Sequence, residues 1–202
     1  MKKLIIPFFL LLFACSDKEI PALSPLADDA VILALGDSLT FGVGVNKTQS
    51  YPVQLANKIS QTVINEGHSG ELSLSGLKRL PQLLAKYKPA LVLLFHGGND
   101  ILQSRSSEKL KENLIAMVEL IQQSGAEVIM IGIPQKSLSR TPPPLYQEIA
   151  TLYNLPYENE SMAQIIRKKD LRSDHVHPNQ QGYQLIAEAV YQILLASGAI
   201  SP

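Results

Sequence analysis

The apolar residues of this chain fall into two kinds of segment that alternate along it. Continuous apolar runs, such as residues 30–35 and 90–95, are typical of strands buried on both faces of a parallel sheet. The intervening segments carry apolar side chains three and four positions apart, which indicates amphipathic helices. Alternation of these segments predicts an α/β fold around a parallel sheet. Strands are predicted at 30–35, 62–65, 90–95, 127–133 and 155–157, and helices at 50–59, 72–87, 107–123, 145–153 and 178–196.

Polar clusters occur where these strands end and where the last helix begins. The sequence reads GDSLT at 36–40, NEGHSG at 65–70, HGGND at 96–100 and DHVHP at 174–178. Ligands of open α/β sheets bind at the carboxyl ends of the strands. We therefore expect the four clusters to line one cleft.

The clusters contain the groups that nucleophilic catalysis requires. A serine hydroxyl such as that of Ser38 needs a neighbouring base to accept its proton, and histidine suits that task near neutral pH. His177 follows Asp174 by three residues, so a single turn could place the carboxylate against the imidazole ring and hold the ring in the required tautomer. Ser38, His177 and Asp174 are therefore the candidate catalytic residues.

A negatively charged reaction intermediate also needs hydrogen-bond donors. The backbone N–H groups of Ser38 and Gly70 and the side-chain amide of Asn99 are candidates for an oxyanion hole. Asp37 is expected to brace the loop before Ser38 rather than to react. Taken alone, each of these residues is equally compatible with an ordinary turn.

Together, the GDSLT segment, the loop at Gly70, the GGND segment and the DxxHP segment resemble the four signature blocks of the SGNH/GDSL hydrolase superfamily, in the same order. The segment GLKRLP at 76–81 is most similar to the bacterial arylesterase/thioesterase I/lysophospholipase branch. The resemblance implies a three-layer, flavodoxin-like α/β/α domain with about five parallel strands. It also implies a serine esterase without a cofactor, which forms an acyl-serine intermediate at Ser38 with Asp174 and His177, and with Ser38, Gly70 and Asn99 as oxyanion hole.

The loop at 101–106 departs from the glycine-containing version of the thioesterase-like members. Leu102 and Gln103 are therefore our candidates for the substrate pocket, together with the proline-rich loop at 135–144. Aryl or alkyl esters, thioesters, lysophospholipids and O-acetyl groups on envelope glycans all stay open as substrates. An inactive envelope binding or assembly lipoprotein on the same fold is the alternative, because a fold alone does not determine function.

Composition narrows the possible partners. The 202 residues suit one domain, and equal numbers of basic and acidic residues, 18 each, give no argument for nucleic-acid binding. His68, His96 and His175 do not have the spacing of metal ligands, so no metal is expected. We expect a monomer that acts on a small-molecule, lipid or glycan ester.

The N-terminal residues predict export and a lipid anchor. Residues 1–14 combine two lysines with a short apolar run, as in a signal peptide, and lead to Cys15 in a sequence that resembles a bacterial lipobox. We expect lipidation at Cys15, a tether over residues 15–29 and the hydrolase domain over 30–202. Ser16 favours the outer membrane, with the domain facing the periplasm.

Overall fold

Five parallel strands form the centre of the molecule. The computed structural model describes residues 20–135, 137 and 140–201. The strand order is β2-β1-β3-β4-β5, and every neighbouring pair is parallel. The predicted five-stranded parallel sheet is thereby confirmed. The strands are β1 (Val31–Gly36), β2 (Thr62–Gly67), β3 (Leu91–Phe95), β4 (Glu127–Ile131) and β5 (Tyr157–Glu158).

Eight helices connect and flank the described strands. In a right-handed crossover, the direction of each step across the sheet determines which face its helix covers. The step from β1 to β2 runs opposite to the later steps, which places α2 on one face and α3, α5 and α6 on the other. The observed packing agrees, since α2 contacts α8, whereas α3 contacts α5 and α5 contacts α6. The helices are α1 (Ser38–Phe41), α2 (Tyr51–Ala56), α3 (Ser73–Tyr87), α4 (Gly98–Leu102), α5 (Ser107–Gln123), α6 (Pro144–Leu152), α7 (Ser161–Arg167) and α8 (Gln180–Ala196), with 3₁₀ turns at Lys47–Gln49 and Lys169–Leu171.

The hydrophobic core lies between the sheet and these helices. β3 is buried along its whole length, as its continuous apolar sequence predicts. The predicted helix at 107–123 has the observed bounds of α5, and its inward positions Leu114, Met117 and Ile121 are completely buried. Three short helices that the periodicity does not predict, α1, α4 and α7, all begin near the carboxyl ends of strands, where the candidate site lies.

The N-terminal segment differs in part from the predicted tether. The backbone N–H groups of Leu23 and Leu26 donate to the carbonyls of Ser197 and Ala199, at 2.9 and 2.8 Å. Both leucine side chains are half-buried against the core, which explains why this part of the segment stays on the domain. Residues 20–29 therefore pack on the domain at the amino-terminal ends of the strands.

The predicted signal peptide and Cys15 lie outside the described residues. Within residues 20–135, 137 and 140–201, none of the helices has both the length and the apolar character needed to cross a bilayer.

Candidate active site

Ser38 lies at the start of α1, directly after the carboxyl end of β1. Asp37 caps this helix, because its carboxylate Oδ1 accepts the backbone N–H of Leu39 at 3.0 Å. Its other oxygen, Oδ2, accepts the backbone N–H of Gly98 at 3.1 Å. Asp37 thus ties the turn after β1 to the turn after β3, which holds the loops that carry Ser38 and Asn99 together.

The environment of Asp37 differs from that of an exposed carboxylate. Its side chain is almost completely buried, and this burial raises its pKa above the ordinary value. The charges of His96 and His177 and the two backbone N–H donors act in the opposite direction. Both carboxylate oxygens of Asp37 accept backbone hydrogen bonds. Asp37 therefore stabilises the loop, and neither oxygen is free to take part in a reaction.

His177 lies in a tight loop that a short antiparallel contact closes. The backbones of Arg172 and Pro178 pair across the loop, and the N–H of Ser173 donates to the carbonyl of His177 at 3.0 Å. Asn179 caps the following helix, α8, through a hydrogen bond from the backbone N–H of Gly182. The loop thus begins and ends on fixed structure, which limits the movement of the imidazole ring.

Asp174, His177 and Ser38 form one continuous chain of hydrogen bonds. The Nδ1 atom of His177 lies 2.7 Å from Oδ2 of Asp174, and its Nε2 atom lies 3.1 Å from Oγ of Ser38. The backbone N–H groups of Val176 and His177 both donate to Oδ1 of Asp174, at 2.8 Å each. An anionic Asp174 requires a proton on Nδ1, so Nε2 is left as an acceptor for the Ser38 hydroxyl.

Asp174 is ionised at neutral pH. Partial burial opposes its ionisation, but the hydrogen bonds from the His177 ring and from the backbones of His177 and Val176 outweigh this effect and lower its pKa to about 2. Its side chain is 51% exposed, whereas that of His177 is only 18% exposed. The carboxylate is therefore reachable by water from one side, while the imidazole is largely covered.

The candidate oxyanion donors lie after three neighbouring strands. Ser38 follows β1, Gly70 follows β2, and Asn99 lies in α4 after β3. Neither the backbone N–H of Ser38 nor that of Gly70 donates a hydrogen bond to another described residue. Gly70 has a φ of 80°, and a β-carbon built there would have no atom within 4 Å, so the backbone conformation rather than space requires glycine.

Asn99 is held by a residue that the sequence did not single out. Its Nδ2 atom donates to the backbone carbonyl of Glu71 at 3.0 Å, which leaves its second N–H available. The Glu71 carboxylate in turn receives two hydrogen bonds from Arg79, at 2.8 and 2.7 Å. It also lies 3.1 Å from Nε2 of the fully buried His96, whose Nδ1 accepts the N–H of Gly97.

This Glu71 network is charged and internally paired. Burial opposes ionisation of Glu71, but hydrogen bonds from His96 and Arg79 and the positive charge of Arg79 lower its pKa to about 2. The loop that contains Gly70 is therefore fixed to both α3, through Arg79, and the end of β3, through His96. The only sequence signal for this network was the presence of Glu71, Arg79 and His96 within or near the conserved-looking blocks of the resemblance.

A cleft of about 680 Å³ opens beside Ser38, Asn99 and His177. Leu102 lines this cleft, whereas Gln103 does not. The Oε1 atom of Gln103 instead accepts two hydrogen bonds from Arg105, at 3.3 and 3.1 Å. The other apolar lining residues are Leu39, Ile101, Ile133, Pro134, Met162, Val176 and Ile166.

Part of the cleft lining comes from a part of the chain whose role was not predicted. Met162 and Ile166 of α7 contribute apolar side chains, and Arg140, Arg172 and His175 contribute polar ones. The predicted proline-rich loop reaches the cleft through Gln135, Ser137 and Arg140. A four-residue spacing of Met162 and Ile166 was the one available signal for this helical wall.

The remaining histidines are dispersed. His68 is exposed and lies 3.9 Å from Glu66 and 3.6 Å from Glu71, while His96 is buried and His175 lines the cleft. Among residues 20–135, 137 and 140–201, no three His, Cys, Asp or Glu side chains are grouped as metal ligands would be.

Several known proteins that are similar to this chain in sequence or fold are named as esterases or thioesterases. The arylesterase of Vibrio mimicus is 33% identical over 181 residues, which cover 81% of this chain and 88% of that protein. Thioesterase 1/protease 1/lysophospholipase L1 of Escherichia coli strain K12 is 28% identical over 165 residues, which cover 78% of this chain and 79% of that protein. The structure of the psychrotrophic esterase EstA from Pseudoalteromonas sp. matches with a TM-score of 0.72 and 30% identity, over 82% of this chain and 97% of that one.

The match to a protein family covers the whole site. Residues 34–185 match the GDSL-like Lipase/Acylhydrolase family, a range that includes Ser38, Gly70, Asn99, Asp174 and His177. It begins within β1 and ends within α8, so it also includes all five strands apart from the first residues of β1. The chain belongs to the GDSL-like lipase/acylhydrolase family.

Proposed function

We propose that the protein is a serine esterase in which Ser38 attacks the carbonyl carbon of a carboxylic ester. The observation that carries this proposal is the continuous hydrogen-bond chain from Asp174 through His177 to Ser38, at 2.7 and 3.1 Å, beside a cleft. As Oγ of Ser38 bonds to the carbonyl carbon, its proton passes to Nε2 of His177. The Asp174 carboxylate stabilises the resulting imidazolium ion.

The second half of the reaction uses the same groups. The tetrahedral intermediate collapses, the bond to the alcohol breaks, and His177 returns the proton to the departing alkoxide. An acyl group then remains on Ser38. Water attacks this acyl-serine while His177 accepts its proton, and the acid leaves with the Ser38 hydroxyl restored.

The backbone N–H groups of Ser38 and Gly70 and the amide of Asn99 are our proposed oxyanion hole. The absence of described acceptors for the two backbone groups supports this assignment, because donors aimed at a developing charge must be free before substrate binds. Asn99 is held at the correct side chain angle by its bond to the Glu71 carbonyl. Preorganised donors stabilise the transition state without reorganisation during the reaction.

The residues that line the cleft indicate which kind of ester could bind. A mostly apolar wall that includes Leu102 and Ile133 suits an acyl or aryl group. The names of the relatives make arylesters, thioesters and lysophospholipids the first substrates to compare. We propose a small-molecule ester as substrate and a monomeric enzyme, without a bound cofactor.

For location, we propose export and anchoring through a lipid on Cys15, in the outer membrane and facing the periplasm. The basic and apolar composition of residues 1–14 and the position of Cys15 support this proposal. A diacylated cysteine binds a membrane stably, because several acyl chains act together.

Hydrolysis of p-nitrophenyl esters from acetate to palmitate tests the catalytic proposal. The purified protein should release p-nitrophenol, and Ser38→Ala should reduce the rate by at least a thousandfold because it removes the nucleophile. Circular dichroism of both proteins serves as the folding control. A folded Ser38→Ala variant that retains the rate of the wild type would exclude Ser38 as the nucleophile.

A further inference from the structure

Two arginines line the cleft without a carboxylate partner. Both Arg140 and Arg172 are part of its wall. Among the residues that the structure describes, no Asp or Glu lies within ion-pair distance of either guanidinium group. Arginines at protein surfaces need no partner, but two that face the same substrate cleft give it a local positive charge.

Arg172 is fixed in the loop that carries His177. Its backbone pairs with Pro178, and its backbone N–H donates to the carbonyl of Lys169 at 3.3 Å. The side chain makes one long hydrogen bond, from Nη1 to the carbonyl of His175 at 3.4 Å. Its Nε atom is buried and has no acceptor among the described residues. A buried N–H of a charged group without an acceptor is uncommon in proteins.

Arg140 approaches the same wall from the loop after β4. Its Nη1 atom donates to the carbonyl of Ile166, in the last turn of α7, at 2.8 Å. That bond uses one of five N–H donors on the guanidinium group. Since Ile166 itself lines the cleft, the bond places the Arg140 head group at the α7 side, where the loop with Arg172 also lies.

The acidic groups near the cleft are already engaged. Asp37 lines its base, but both of its carboxylate oxygens accept backbone N–H groups and the side chain is almost completely buried. Asp174 is directed at the ring of His177. Leu39, Ile101 and Leu102 add apolar side chains to the lining of the cleft. The cleft therefore combines a largely apolar lining with two arginine side chains.

We propose that Arg140 and Arg172 form a subsite for an anionic group of the substrate, so that the preferred substrates are esters carrying a carboxylate or phosphate. The inference rests on the esterase function proposed above. Guanidinium groups bind both anions through paired, charge-assisted hydrogen bonds. Both Arg140 and Arg172 line the cleft and carry such a group. The apolar wall accommodates the hydrocarbon part of the same ester.

The anion could belong to the acyl part or to the alcohol part, and paired substrates distinguish these sources. For the acyl part, mono-4-nitrophenyl glutarate is compared with the uncharged 4-nitrophenyl pentanoate. For the alcohol part, hexanoyl glycerol phosphate is compared with hexanoyl glycerol. In at least one pair, kcat/KM should be roughly tenfold higher for the anionic ester, because one charged hydrogen bond stabilises a complex by about that factor. This ratio should fall as NaCl rises from 0.05 to 0.5 M.

Variants test the two arginines directly. In Arg172→Gln and Arg140→Gln, the ratio of kcat/KM for the anionic ester to kcat/KM for the uncharged ester should fall toward one, because kcat/KM decreases more for the anionic ester. Arg172→Lys keeps the positive charge and should retain part of the preference. Arg105→Gln is the matched control. It removes the same charge from the exposed neighbour of Gln103, outside the cleft, and should leave the ratio unchanged.

The outcomes separate this inference from the proposed function. Hydrolysis of the uncharged esters with no preference for either anionic ester overturns the anion subsite and leaves the esterase assignment intact. A preference that survives in an Arg140→Gln and Arg172→Gln double variant also overturns it. Failure of the folded wild type to hydrolyse any of the four esters overturns both proposals.

Discussion

Replacement of Asn99 by alanine tests the oxyanion hole separately from the nucleophile. The amide of Asn99 has two N–H groups, and one of them is committed to the carbonyl of Glu71 at 3.0 Å. The side chain lines the cleft together with Ser38. Alanine removes the second N–H from the position where the carbonyl oxygen becomes negatively charged, while Ser38 and His177 stay in place.

The expected loss follows from what this donor does. A single oxyanion-hole donor contributes about 2.7–4 kcal/mol to transition-state stabilisation, which corresponds to a decrease in kcat of roughly 10²–10³-fold. KM should change little, because the donor is used mainly after the carbonyl oxygen gains charge. The bond to Glu71 is a neutral hydrogen bond worth about 1 kcal/mol in folding, so the free energy of unfolding should decrease only modestly.

The assay is steady-state hydrolysis of p-nitrophenyl butyrate, with urea unfolding measured on the same preparations. Gln103→Ala is the matched control, because it truncates another amide in the adjoining turn that does not line the cleft. Its kcat should equal that of the wild type. If a stably folded Asn99→Ala enzyme loses less than about threefold in kcat, the amide does not stabilise the transition state and our oxyanion assignment is wrong.

Three further predictions concern the carboxylate, the network behind the site and the anchor. Asp174→Asn should reduce kcat by about 10⁴-fold. Because the pKa of Asp174 is lowered to about 2, its contribution to stability is present above about pH 4 and lost toward pH 2. The urea unfolding curves of variant and wild type should therefore converge as pH falls through that range. Gly76→Ala places a β-carbon against Nε2 of the buried His96, closer than the two atoms can pack, and should cost roughly 1–3 kcal/mol of unfolding free energy in urea. Ser75→Ala, on the exposed side of the same helix, should cost almost nothing. Cys15→Ser should move the protein from the membrane fraction to the soluble fraction in cell fractionation, and a variant that stays with the membranes would contradict lipidation.

The central strands β1, β3 and β4 were predictable because each is almost wholly buried. The run at 90–95 contains no polar residue, so hydrophobicity alone predicts a buried strand. The apolar residues of α5 recur at helical spacing over 17 residues, so the helix is predicted just as directly. The short helices were not predictable. α1 has four residues and α4 has five, too few to show a helical period. They depend on contacts distant in sequence, such as the bond from Gly98 to Asp37.

The candidate catalytic groups could be named because their positions follow from chain order. Ser38 and Asn99 each come directly after a strand, so a parallel sheet necessarily brings them to one edge. Asp174 and His177 are close in sequence, and one turn is enough to join them. No comparable rule applies to Glu71, whose contact with His96 joins two loops through side chains alone.

The residues that line the cleft away from the strand ends are harder to predict from sequence than the candidate catalytic groups. For this reason the sequence indicates a reaction more readily than it indicates an ester. Met162 and Arg172 reach the cleft only because α7 packs against α8 and the loop after it folds back to Pro178. Apart from the four-residue spacing of Met162 and Ile166, neither event leaves a pattern in the sequence. Gln103 shows the converse, since its position beside Leu102 suggested the pocket, but its side chain bonds to Arg105 and is not among the residues that line the cleft. Loops can therefore exchange such walls while the strand ends keep the same chemistry. For this reason, the arginine variants should change which ester is preferred, whereas only changes at the strand ends and in the His177 loop should abolish hydrolysis.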